Sequence, residues 1–67
     1  MSVQQAAILR ALDTRRTGGR YCGARFAQIL VVTDARAWLR WAQQQLDGEE
    51  AESAAILLEH LDLERAA

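Results

Sequence analysis

At 67 residues with one cysteine, the chain has room for one domain, 1–67, and a thin core, and it excludes an intramolecular disulfide. It is 51 % hydrophobic, but charges interrupt the apolar residues, and no run approaches the ~20 residues that cross a bilayer. The net charge of −1 hides two poles: residues 1–41 carry seven arginines against Asp13 and Asp34, a balance of +5, and residues 42–67 carry seven acids against Arg65, a balance of −6.

The first helix is expected to start at Ser2, because Ser2-x-x-Gln5 has the spacing of a capping box, with Ile8, Leu9 and Leu12 as its buried face. It frays through Arg15 and Arg16 into the loop Thr17-Gly18-Gly19. A second helix covers about 23–31 and places Phe26, Ile29 and Leu30 on one face, with Ala27 at its edge. A third covers about 34–46 and places Trp38, Trp41, Ala42 and Leu46 together. At 100° per residue these two stripes fall on different faces, so one straight helix cannot serve both. The β-branched run Val31-Val32-Thr33, followed by Asp34 as an N-cap, marks the break.

Asp47-Gly48 reads as a turn, and Asp47-x-x-Glu50 again has capping-box spacing. Glu49, Glu50 and Glu52 sit in a first helical turn, where the helix dipole favours negative charge. The fourth helix runs to about Arg65 with Ala51, Ala54, Leu57, Leu58 and Leu61 as its core face. Ile56 and Leu63 project from nearly the opposite side, beside Glu52 and Glu59. They are either scattered surface apolars or a second seam for a dimer or a partner. With almost no support for strands, the fold class is all-α: a small bundle of three to four short helices.

Chemistry-bearing residues are few. Trp38 and Trp41 are expected at the centre of the core, the alternative being that one is a partly exposed anchor. Arg36, Arg40, Gln43 and Gln44 share the polar face of the third helix, either as a solvated face or as donors for base edges and phosphates. All eight basic residues are arginine, which reflects either the base composition of the gene or a need for bidentate contacts with carboxylate or phosphate. Two opposite poles favour head-to-tail association or internal neutralisation.

Residues Tyr21 to Trp41 resemble the helix-turn-helix of excisionase and MerR-like DNA-binding proteins. A small residue (Ala27), Leu30, a capping polar residue (Asp34), Trp38 in an aliphatic position and Trp41 stand at the family's spacings. The match covers about a third of the chain. It departs at Val32, which replaces the usual turn glycine, and no wing follows Leu46. The resemblance implies DNA binding through Arg36, Arg40 and Gln43, with Arg20 and Arg25 on phosphates.

Cys22 near a helix start reads as a structural thiol or an intermolecular disulfide, since the one histidine, His60, lies far along the chain and pairs at i+4 with Glu64. Asp47-Gly48-Glu49-Glu50 lacks the alternating ligands of an EF-hand, and Gly18-Gly19-Arg20 lacks P-loop spacing. The segment MSVQQAAILRALD lacks the basic start and apolar run of a signal peptide, so a cytoplasmic location is expected. No catalytic, metal or cofactor site emerges.

The reading is a non-enzymatic regulator, adaptor or inhibitor that binds a partner protein stoichiometrically and forms a homodimer. The contact residues are Arg36, Arg40, Gln43 and Trp38 on one face, and Ile56 and Leu63 on another. The alternative is a helix-turn-helix transcriptional regulator using Arg20, Arg25, Arg36, Arg40 and Gln43 on DNA and dimerising through the acidic C-terminal helix. Arginines neutralised by acids of the same or a neighbouring chain favour the protein partner. A continuous basic stripe favours DNA.

Overall fold

The computed structural model describes residues 2–66, with side chains as far as Leu63. The side chain of Glu64, expected to pair with His60, lies outside the described residues. Within them stand four helices, α1 (Val3–Leu12), α2 (Phe26–Val32), α3 (Ala35–Gln45) and α4 (Gly48–Ala66), and the protein is an all-α bundle.

Local chemistry sets the helix starts. Ser2 Oγ accepts from the Gln5 amide at 3.1 Å and Gln5 Oε1 accepts from the Ser2 amide at 3.1 Å, closing the capping box. Asp34 caps α3, its carboxylate accepting from the Ala37 amide at 3.2 Å. Between α2 and α3 only Thr33 and Asp34 leave the helical conformation. Thr33 donates its hydroxyl to the Ile29 carbonyl at 2.7 Å, which satisfies one of the terminal acceptors of α2. This short break re-phases the chain. Phe26 and Ile29 of α2 and Leu39 and Ala42 of α3 are all buried in one core, as an unbroken helix would not allow.

The long segment between α1 and α2 departs from the expected frayed helix. α1 stops at Leu12, and residues 14–16 run antiparallel to 23–26. The Phe26 amide donates to the Thr14 carbonyl at 2.8 Å, Arg16 N–H to Ala24 at 3.0 Å, and Gly23 N–H to Arg16 at 2.8 Å. This pairing also explains why α2 begins at Phe26 and not near Gly23: the backbone of 23–25 is already committed. Gly23 has φ +86°, a left-handed conformation that makes glycine necessary there.

The core holds Ala11, Phe26, Ile29, Leu39, Ala42, Ala54 and Leu57. α4 packs along both α3 and α1. Fully buried Ala42 and Ala54 let α3 and α4 approach closely. Three expectations are corrected by this packing. Leu9 is 51 % exposed, and Ala11 is the buried residue of α1, with Ile8 and Leu12 half-buried beside it. Leu39, not the tryptophan pair, is the centre of the α3 face: Trp38 is half-buried and Trp41 is 47 % exposed. Ile56 does not project into water with Leu63. It is half-buried against the core, in the groove that α4 forms with Ala7 and Ile8 of α1.

Candidate functional site

Glu50 organises the loop beside α4. It lies in the first turn of the helix, but its carboxylate faces the loop instead of closing the expected capping box with Asp47. Arg16 Nη1 donates to Oε1 at 2.6 Å, the Thr17 amide to Oε1 at 3.2 Å, and the Thr17 hydroxyl to Oε2 at 3.0 Å. The second Arg16 nitrogen donates to the Gly18 carbonyl at 2.7 Å. Both partners of the ion pair are largely withdrawn from water, at 11 % and 16 % side-chain exposure. Burial alone would raise the Glu50 pKa. The hydrogen bonds from Arg16 and Thr17 and the Arg16 charge outweigh it and hold the carboxyl below its usual 4.5.

Pinning the loop in this way brings Gly19, Arg20 and Tyr21 against the exposed flank of α3. Together with Arg16, Trp38 and Trp41 they line an open groove of about 340 Å³ whose walls are almost wholly apolar. Trp38 meets Phe26 edge-on, with ring centroids 5.0 Å apart at 84°, so the buried ring sets the orientation of the half-buried one. Trp41 lies 6.2 Å from Trp38 and faces outward. The Arg20 guanidinium sits 5.9 Å from the centre of the Tyr21 ring, within cation–π range. Gly19 has φ +80°, and a Cβ there would stand 3.4 Å from Arg16 Nη2, so the loop presents bare backbone at this wall.

The residues singled out from sequence divide between places. Arg36 turns toward α4, with Nη2 2.6 Å from Asp62 Oδ1. Arg40 and Gln43 are exposed on α3, and Arg40 has no ion pair among the described residues. Arg25 reaches Asp13 at 3.3 Å with both side chains at least half exposed, and such a pair contributes little. Arg20 and Trp38 line the groove. Leu63 is exposed, apart from half-buried Ile56. Cys22 is a free, exposed thiol next to Tyr21. His60 lies beside Gln5, Ile8 and Leu9 of α1. Among the described residues no group of three or more His, Cys, Asp or Glu is placed to hold a metal ion, and no helix is long and apolar enough to cross a membrane.

Tyr21, Gly19 and Arg16 were not named from sequence as parts of a site. The only local signal is a glycine pair one residue from an aromatic, Gly18-Gly19-Arg20-Tyr21. The contact that gives it meaning, Glu50, stands 34 residues from Arg16. The chain matches no protein-family model, and no curated protein and no solved structure is significantly similar to it.

Proposed function

We propose that the protein is a small non-enzymatic regulator, adaptor or inhibitor that binds a partner protein stoichiometrically through the Tyr21–Trp38–Trp41 face. One observation carries the reading: two arginines of the basic half, Arg16 and Arg36, are paired with acids of the acidic half of the same chain. Arg16 is held by Glu50 and Arg36 by Asp62, each at 2.6 Å, and Arg25 leans on Asp13. Arg36 is one of the side chains a DNA-recognition helix would direct at base edges, and it is engaged elsewhere. What is left uncovered beside α3 is a cluster of tryptophan, tyrosine and arginine, the composition of an interface hot spot. Arg40 and Gln43 are exposed elsewhere on the same helix, and Leu63 offers a separate apolar contact.

Self-association belongs to the same reading, because Val31 and Val32 end α2 at 83 % and 69 % exposure. A free Cys22 suits a reducing compartment such as the cytoplasm. DNA recognition retains one supporting feature, the two-residue turn into an α3 capped by Asp34.

Titration with labelled random duplex DNA at low and moderate salt separates the two, alongside a pull-down on immobilised protein. The expected outcome is no salt-sensitive DNA binding, with a retained protein that is lost in Trp41→Ala/Arg40→Ala. DNA binding that falls steeply with salt and disappears in Arg36→Ala/Arg40→Ala would put the DNA reading first.

A further inference from the structure

The groove between the loop and α3 carries a charge pattern that specifies more than a generic apolar contact. Its ionised lining consists of two guanidiniums, Arg16 and Arg20, and no carboxylate lines it. Arg16 is already neutralised and fixed by Glu50, so it builds the wall and is not free to recruit a ligand. Arg20 is exposed at the rim, beside the Tyr21 ring, and has no ion pair among the described residues. Beside it lie the apolar surfaces of Trp38, Trp41 and Tyr21 and the bare backbone of Gly19. An apolar slot with one guanidinium that lacks an ion pair at its rim is complementary to an apolar side chain next to a carboxylate.

We infer that this groove takes an acidic–apolar segment of the partner protein, seating one aliphatic or aromatic side chain while a neighbouring Asp or Glu meets Arg20. The inference rests on the protein-binding reading above and names the chemistry of the partner at that site. A single-stranded nucleic acid, the other polyanion with apolar faces, fits less well. Such binding uses successive open aromatic platforms. Here Trp38 is half-buried and held edge-on to Phe26, so Trp41 is the ring of the tryptophan pair that is turned outward.

The test is fluorescence anisotropy with three short, blocked, labelled peptides of equal length and with oligodeoxythymidylate. One peptide interleaves leucine with glutamate and aspartate. The second replaces leucine by serine, and the third replaces the acids by lysine. The acidic leucine peptide is expected to bind saturably and the other two at least about tenfold more weakly. Trp41→Ala abolishes the binding, and Arg20→Glu weakens it by about tenfold or more at low salt, both with unchanged circular dichroism.

Equal binding of the lysine peptide, indifference to Trp41→Ala, or no saturable binding of the acidic peptide overturns the inference. So does Trp41-dependent binding of the oligonucleotide in its place. If the acidic peptide fails while a partner protein is still retained through Trp41, the inference falls and the protein-binding reading stands.

Discussion

Glu50 shows how one side chain can hold a segment that has no regular structure of its own. It accepts three hydrogen bonds from Arg16 and Thr17 and so fixes the loop that carries Gly19, Arg20 and Tyr21. Removing it leaves a mostly buried guanidinium without its counter-charge. Glu50→Ala is therefore expected to cost about 2 kcal/mol in urea unfolding at neutral pH, and to open the aromatic groove. Because the folded-state pKa is depressed, the stabilisation is present above the unfolded value of 4.5 and is lost as pH falls through the lower folded value. As pH falls below the unfolded value of 4.5 the wild type should lose stability more steeply than Glu50→Gln, which has no charge to titrate. Parallel slopes for the two proteins would show that the carboxylate contributes nothing through ionisation. Sequence reading assigned Glu50 to a local capping box because local spacing was the only geometry it had, and the actual donors lie a whole helix pair away.

At the scale of the element, α3 shows where periodicity informs and where it misleads. The break at Thr33–Asp34 was legible because two apolar stripes conflicted and a capping residue stood between them. The phase of α3 was not. Counting bulk put the two tryptophans at the centre of the core, whereas close packing of α3 on α4 selects small and medium residues, Leu39 and Ala42 against Ala54 and Leu57. An indole at the centre of that contact would force the helices apart, so the rings flank it. The consequence is measurable. Leu39→Ala should cost about 2–5 kcal/mol, and Trp41→Ala, at a half-exposed site, only about 0.5 kcal/mol. A reversed order in chemical denaturation would mean that α3 is rotated by about a quarter turn. With Leu39 and Ala42 facing the core, Arg36, expected on the polar face of the third helix, stands close enough to α4 to pair with Asp62.

For the whole molecule, composition forecast both the thin core and the surplus of apolar surface. Beyond Phe26, Ile29, Leu39 and Leu57 the buried apolar residues are alanines, while Val3, Val31 and Val32 are largely in water. Domains this small have little margin, and exposed β-branched pairs are covered most economically by a second copy. Light scattering is expected to give a dimer that dissociates on Val31→Glu/Val32→Lys while the helical signal persists. A monomeric wild type at high concentration would rule this out. Charge was also legible as two poles, but sequence left open whether they meet within a chain or between chains. Arg16–Glu50 and Arg36–Asp62 answer for two of the seven arginines, and the answer depends on helix packing that no local window contains.

Time imposes an order that a static bundle does not display. α2, α3 and α4 follow one another closely and meet over short spans of chain. α1 touches α2 lightly and packs mainly on α4, the nearby Thr14 meeting Ser53 with their hydroxyls 2.8 Å apart across 39 positions. Closing so long a loop costs more entropy than the short connections do, so the last three helices are expected to condense first and α1 to complete its docking onto them. During synthesis α1 leaves the ribosome earliest and is seated latest. Until α4 has emerged, Ile8, Ala11 and Leu12 lack the helix that packs most against α1, and the young polypeptide carries that apolar face uncovered for as long as its first helix waits.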